Sequence, residues 1–301
     1  MRLCRYPRGV VVETPAKVNL FFEVLGRRSD GFHEIETLVY PIDWYDALYA
    51  EPAAGERIAF YCRRPEGCIP TPGTTDVPEG PENLVVRAVE LLRRRAGVST
   101  GASLRLIKRV PSAAGLGGGS SDAAAALVAV NTLWNLGWSR AALASLGGEL
   151  GSDVPLFFAQ GPVVCRGRGE RLEPVALPGA LHLVVVRPPE GLATPAVYRA
   201  CRPGDPPRTV APLREALARG DLGAAGRAMF NRLEAAAETL SPWIARLRRE
   251  FAALGCLGSQ MSGSGTCYFG LCRHAAHARG AAGRLRARGV GWVRAVRAGH
   301  Y

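Results

Sequence analysis

Pro111-Ser112-Ala113-Ala114-Gly115-Leu116-Gly117-Gly118-Gly119-Ser120-Ser121-Asp122 leads into an alanine-rich run, Ala123 to Ala126. The preceding stretch, Leu104 to Val110, reads as a strand, and the residues from about Ser121 to Leu136 read as a long helix. Glycine lets the backbone take φ > 0 and lets a ligand approach without meeting a Cβ. The helix that follows offers unpaired N–H groups and the positive end of its dipole. A strand, a glycine loop and a helix N-terminus in that order form an anion site, most often for phosphate. Ser120 and Ser121 can add hydroxyl contacts to phosphate or to a magnesium ion. No Gly-Lys-Ser/Thr closes the loop, so it is not a Walker A loop. Gly115-x-Gly117-x-x-Ser120 lacks the third glycine of the Rossmann pattern. Taken alone, the segment reads equally well as a flexible turn with Ser and Asp as caps.

Working outward, Val10 to Leu25 reads as extended chain, ended by the turn Arg28-Ser29-Asp30-Gly31, with a further strand over Ile35 to Ile42. Residues 62–81, rich in Pro, Gly and Thr, read as an exposed excursion. Asn83 caps a helix through Arg95, because Leu84, Val85, Ala88, Leu91 and Leu92 share one face. Another helix, Ser139 to Leu150, leads to Gly151-Ser152-Asp153. Pro178-Gly179 marks a domain boundary, giving residues 1–178 and 179–301. Beyond it come strand Leu181–Val186, helices around Leu213–Arg219, Asp221–Ala237 and Pro242–Leu254, strand Thr266–Leu271, helix His274–Arg288 and strand Trp292–Val296. This mixture, with hairpin-like connections, argues for an α+β fold.

The 301 residues suffice for two ordinary domains with a substantial core. Apolar content of 48 % and charged content of 21 % are those of a globular protein. No apolar run approaches the roughly 20 residues that span a bilayer, and the N-terminus shows no signal-peptide pattern. The expectation is a cytoplasmic protein without a membrane partner. The net charge of +12 comes from 38 basic and 26 acidic residues and favours anionic partners. The arginines lie in short runs with apolar positions at helical spacing, which reads as solvated helix faces. The eight cysteines include no Cys-x-x-Cys, and reduced thiols are the better reading. His274 and His277 stand three apart on a helix, and the expectation that no acidic or cysteine partners lie nearby argues against a metal site there.

Three other segments carry chemistry. Thr14-Pro15-Ala16-Lys17-Val18-Asn19-Leu20 places Lys17 and Asn19 on one face of a strand. Gly151-Ser152-Asp153-Val154-Pro155 sets an acid before an apolar run. Met261-Ser262-Gly263-Ser264-Gly265-Thr266 supplies small residues with which a loop can close over a nucleotide. Singly, Lys17 reads as an edge residue, Asp153 as a turn residue, the third segment as a plain turn and His33 as a surface residue. A lysine buried beside a carboxylate would keep that carboxylate ionised and able to accept a proton.

Together, residues 14–20, 111–121 and 261–266 resemble the three ordered motifs of the GHMP kinase superfamily, over nearly the whole chain. Arg28-Ser29-Asp30-Gly31-Phe32-His33 and Leu150-Gly151-Ser152-Asp153 narrow the resemblance to the branch that phosphorylates a cytidine diphosphate-linked methylerythritol. The resemblance implies a two-domain kinase, with an N-terminal ribosomal-protein-type β-α-β domain and a C-terminal ferredoxin-like α/β domain. It implies ATP and Mg²⁺ as cofactors and a small-molecule substrate, not nucleic acid. Asp153 would be the general base, and Lys17 would hold it ionised and stabilise developing charge. Pro111 to Ser121 would cradle the ATP phosphates. Phe32 and His33 would hold the cytosine, and Asn19 and Thr194 would contact the substrate's polar chain. The sequence departs from the family pattern at Phe32, where tyrosine is usual, at Ala113 and Ala114, where glycines are common, and in the long 62–81 segment. A homoserine- or mevalonate-type kinase is the sister reading. A basic RNA-binding protein is the reading of another class, and it gives no reason for Lys17, Asp153 and the glycine loops in one chain.

Overall fold

A computed structural model describes residues 1–65 and 77–299. The 62–81 excursion therefore lies largely outside the described residues, although Cys62 and Arg63 still belong to a strand. The chain opens with β1 (Arg2–Tyr6), which pairs antiparallel with the start of β2 (Gly9–Arg27). β2 then pairs along its length with β3 (His33–Ala53). β2 lacks an inside-outside alternation from Thr14 to Val24, where every residue is buried, because both of its faces are covered. Register shifts at Pro15/Ala16, Asn19/Phe21 and Val24/Gly26 bend the hairpin. β3 is longer than the pattern over Ile35–Ile42 suggests. Its first part pairs with β6 (Val163–Gly167) and its last part with β5 (Gly101–Ile107).

β4 (Ile58–Arg63) runs parallel to β5, and between them lies α1 (Leu84–Ala96). Asn83 caps α1 by accepting from the Val85 N–H, and Gly97, at φ 64°, ends it. α2 (Gly118–Leu133) follows the glycine loop. Its alanines 123–126 are fully buried, since the helix threads between α1 and the β2–β3 ribbon, where only small side chains fit. α2 stops at Leu133, earlier than expected, and Asn135 at φ 53° turns the chain away. α3 (Arg140–Gly148), a 3₁₀ turn at Pro155–Phe158, β6 and β7 (Arg171–Pro174) complete this half.

The second half contains β8 (Leu181–Arg187), α4 (Thr194–Ala200), α5 (Ala211–Ala218), α6 (Leu222–Ala228), β9 (Phe230–Asn231) and α7 (Leu233–Leu240). It continues through α8 (Pro242–Ala252), β10 (Gly258–Met261), β11 (Tyr268–Cys272), α9 (Ala275–Ala287) and β12 (Trp292–Ala298). The single helix expected over Asp221–Ala237 is instead two helices. Phe230 and Asn231 break it by pairing with Phe21 and Phe22 of β2. Glu23, fully buried, then fixes Arg232 through two hydrogen bonds of 2.7 and 2.8 Å.

The sheet order is β1-β2-β3-β12-β8-β11-β10, so one sheet runs through both halves. Among the described residues no helix is long and apolar enough to cross a membrane, and the described cysteines are free thiols.

Candidate active site

The glycine loop is clasped from below by the Met261–Thr266 segment. Ser262 Oγ donates to the Gly115 carbonyl at 2.9 Å, and Cys267 N donates to the Ala114 carbonyl at 3.1 Å. A Cβ on Gly115, which sits at φ 75°, would fall 2.1 Å from the Ser262 carbonyl oxygen. A Cβ on Gly117, at φ 69°, would meet Phe157 and the Lys17 side chain at 2.8 and 3.0 Å. Only glycine fits at these two contacts. Ala113 takes φ 48° without being glycine, at the point where the family pattern favours glycine.

Gly118, Gly119 and Ser120 form the first turn of α2, and the first intrahelical bond beyond them runs from Ser121 N to the Gly117 carbonyl. Their N–H groups are thus the orphan donors of a helix N-terminus. The Ser121 hydroxyl, expected to reach a phosphate, is instead buried. It donates to the Pro15 carbonyl at 2.6 Å and lies 2.5 Å from Thr14 Oγ1. It pins α2 to β2.

Under this turn lies a buried charge cluster. Lys108 Nζ contacts Asp46 at 2.5 Å and Asp122 at 2.6 Å, all three nearly inaccessible. Asp46 also accepts from the Arg109 and Val110 N–H groups, which turns the chain out of β5 before the loop. Burial pushes the Asp122 carboxyl well above the usual carboxylate range, against the opposing pull of Lys108.

Lys17 is 6 % exposed. Its Nζ donates to Asn19 Oδ1 at 2.7 Å and lies 3.8 Å from Asp153 Oδ2. Asn19 is fixed in turn by donating to Thr37 Oγ1 at 2.9 Å. The Asp153 side chain is half exposed. Both residues line a cavity of about 1040 Å³, together with Asn19, Phe32, His33, Ala113, Gly115, Gly117 and Thr194. The structure therefore gathers the sequence candidates into one cleft. Ser121 stays beneath the loop, Pro111, Ala114, Leu116 and Gly118 are buried in its support, and Ser112, Gly119 and Ser120 do not line the cavity.

In the same cavity His33 packs against Tyr198, with ring centroids 4.9 Å apart. Phe32 is 51 % exposed, and the Arg168 guanidinium lies over its ring at 4.8 Å. Burial, and secondarily Arg27, lowers the His33 pKa, which favours a neutral imidazole able to donate and accept. Asp30 closes the preceding turn by accepting from Phe32 N. Thr194 and Ser264 share a hydrogen bond of 2.8 Å across the cavity rim.

Sequence reasoning missed Tyr198, Arg168 and Asn231. Tyr198 stands four residues after Thr194 on α4, a spacing that puts both on one helix face. Asn231 donates to the carbonyls of Met261 and Gly263, both at 2.8 Å, and so holds the clasp. No signal in the sequence marked it. The expectation that His277 has no cysteine neighbours is also corrected. The β10–β11 pairing brings Cys256 beside Cys272, which stands five residues before His277.

A glycine loop at a helix N-terminus, a Lys–Asp pair and a large cleft are the parts a small-molecule kinase needs. The chain matches the family models for the GHMP kinase N-terminal domain over residues 83–161 and the C-terminal domain over residues 213–291. It is 44 % identical over 273 residues to a 4-diphosphocytidyl-2-C-methyl-D-erythritol kinase from Pelotomaculum thermopropionicum, covering 90 % of this chain and 92 % of the relative. A crystal structure of 4-(cytidine 5'-diphospho)-2C-methyl-D-erythritol kinase superposes with a TM-score of 0.81 at 40 % identity, over 97 % of this chain and all of that one. A homoserine kinase from Cytophaga hutchinsonii shares the fold, with a TM-score of 0.76 at 18 % identity over 98 % of this chain and 96 % of that one. The chain belongs to the GHMP kinases and, within them, to the family of 4-diphosphocytidyl-2-C-methyl-D-erythritol kinases. It is accordingly an ATP-dependent kinase that acts on an alcohol, with the two-domain fold of that superfamily.

Proposed function

We propose that this cleft transfers the γ-phosphoryl group of ATP to the 2-hydroxyl of 4-diphosphocytidyl-2-C-methyl-D-erythritol, a step of non-mevalonate isoprenoid precursor synthesis, with Lys17 and Asp153 at the point of transfer. The observation that carries this reading is that the Lys17–Asp153 pair lines one cavity together with the glycine loop and the Phe32–His33–Tyr198 cluster. Asp153 Oδ2 lies 3.8 Å from the ammonium, outside hydrogen-bond reach, so its lone pairs remain open to a substrate hydroxyl. Asp153 takes the hydroxyl proton as the oxygen attacks the γ-phosphorus, and ADP leaves. Lys17, oriented by Asn19, offsets the negative charge on the transferred group. Such a reaction asks for positioning and electrostatic stabilisation more than covalent catalysis.

The N–H groups of Gly118, Gly119 and Ser120 and the glycine backbone from Gly115 receive the ATP phosphates. The single carboxylate lining the described cavity is Asp153. That donor set suits a magnesium ion held mainly by the phosphates and water; when bound, it neutralises phosphate charge. Phe32, His33, Tyr198 and Arg168 receive the cytosine by stacking and hydrogen bonding, while Asn19 and Thr194 face the polar chain. We place the boundary between the two functional halves at residues 178 and 179, between the segments that match the two family models.

The test is to incubate the purified protein with ATP, Mg²⁺ and 4-diphosphocytidyl-2-C-methyl-D-erythritol, and separately with homoserine and mevalonate. Phosphoryl transfer to the cytidine-linked alcohol is the expected result. Transfer only to homoserine or mevalonate would overturn the substrate assignment.

A further inference from the structure

We propose that Cys256, Cys272 and His277 form a binding site for one zinc-type dication in the C-terminal half, separate from the catalytic cleft. The Sγ atoms of Cys256 and Cys272 are 4.0 Å apart. These two atoms and a ring nitrogen of His277 all lie within 4.8 Å of one another. Around a tetrahedral zinc ion with Zn–S bonds of about 2.3 Å, two thiolate sulfurs stand roughly 3.8 Å apart. The pair needs to close by only a few tenths of an ångström to reach that spacing. A disulfide would need about 2.05 Å, a far larger movement.

The histidine is already arranged for ligation. His277 Nε2 lies 3.0 Å from the Leu254 carbonyl, so the tautomer that satisfies this contact donates Nε2–H and leaves the lone pair on Nδ1. Metal-bound histidines commonly give their other ring N–H to a backbone carbonyl in this way. The existing partner of Nδ1 is the Arg273 N–H, at a long 3.3 Å.

All three residues sit on fixed backbone. Cys272 ends β11 opposite His182 of β8. His277 lies in the first turn of α9, where its N–H bonds to His274 Nδ1. Leu257, next to Cys256, donates its N–H to the Leu271 carbonyl, and Arg273 Nη1 holds the Gly255 carbonyl at 2.7 Å. The Cys256 thiol fills the space of the missing Gly270 side chain, where a Cβ would lie 2.7 Å from Sγ. Cys256 and His277 are half-buried, so water can complete a fourth position.

Binding of a dication releases one S–H proton from each cysteine to solvent. Two thiolates, a neutral imidazole and the ion then form a neutral centre. None of the three residues lines the catalytic cavity. The ion would clip the end of β11 to α9 and to the chain leaving α8, stabilising this half without touching the phosphoryl transfer.

The test is to strip the protein with a chelator and titrate it with Co²⁺, following thiolate-to-cobalt charge transfer, and then to displace Co²⁺ with Zn²⁺. One Co²⁺ per chain is expected, with the charge-transfer band lost in Cys256→Ser and affinity reduced roughly tenfold or more in His277→Gln. Zn²⁺ should raise the melting temperature of the stripped wild type and not that of Cys256→Ser, while kcat stays within about twofold in both. Absence of the band in folded wild-type protein would overturn the proposal, as would a band of equal strength in Cys256→Ser. Because Cys256 is only half-buried, its serine variant keeps the test open should Cys272→Ser fail to fold.

Discussion

The two walls of the cleft are built in opposite ways. The wall proposed to take the phosphates is backbone: Gly115 pressed onto the carbonyl of Ser262, a helix N-terminus, and beneath them Lys108 buried between Asp46 and Asp122. The wall proposed to take the nucleobase is side chain: an exposed Phe32 ring under Arg168, and His33 against Tyr198. A triphosphate is a concentrated charge that needs a few donors at fixed points, so rigidity is gained by burying the support. The cytosine side needs aromatic faces reachable from solvent, so it tolerates exposure. The cluster also explains how Asp122 can sit in α2 just beyond its first turn, close to the proposed phosphate site. Lys108 lies against Asp122 and offsets its charge, and burial favours the protonated acid.

If this contrast is correct, damage to the phosphate wall should appear as lost stability, and damage to the nucleobase wall as lost affinity. The largest effect should come from Lys108→Met, which strands two buried carboxyl groups. About 3–5 kcal/mol of stability should be lost in denaturant titrations, whereas a loss below about 1 kcal/mol would show the cluster to be dispensable. Next, Gly115→Ala forces a methyl group into the Ser262 carbonyl and an alanine into the left-handed region. It should cost at least about 1–3 kcal/mol from the backbone strain alone and raise KM for ATP. An unchanged melting temperature would break the clasp argument.

Phe32→Ala should leave the melting temperature alone and raise KM for the cytidine-linked substrate by roughly two- to fivefold, the scale of an exposed cation–π contact. A changed KM for ATP instead would dissolve the distinction between the walls. The smallest effect concerns pH. Burial, and then Arg27, holds the folded His33 pKa below its unfolded value. Its contribution to stability is therefore complete above the unfolded pKa and is lost as pH falls through that value towards the folded one. KM for the cytidine-linked substrate should stay flat through neutral pH and rise only on the acid side. His33→Gln should remove that acid limb, and a limb that persists in this variant would assign the titration elsewhere.

Much of the phosphate wall was legible in the sequence, because glycine spacing, a preceding strand and a following helix each have a local physical signature. Lys17 and Asp153 were visible as residues and not as a pair. Each alone looks like a surface or turn residue, and 3.8 Å between them is a fact of tertiary structure. The support was largely hidden. Lys108 reads as the end of a strand, and Asp46 and Asp122 lie 62 and 14 residues from it. Asn231 broke an expected helix because pairing with β2 and three side-chain hydrogen bonds outweighed local helix propensity. Ser121 looked like a phosphate ligand and is a packing residue, since motif position does not say which way a hydroxyl turns. Cys272 and His277 lie only five residues apart in the chain, but Cys256 was unreadable as their partner, because the β10–β11 strand register, not spacing, brings it to them.

The central claim is that Asp153 receives the proton of the attacking hydroxyl. Single-turnover phosphoryl transfer by Asp153→Asn, with saturating ATP, Mg²⁺ and 4-diphosphocytidyl-2-C-methyl-D-erythritol, tests it most directly. The rate should fall by about 10²–10⁴, the range for a general base, with both substrates still bound. A rate within a few-fold of wild type would contradict the mechanism.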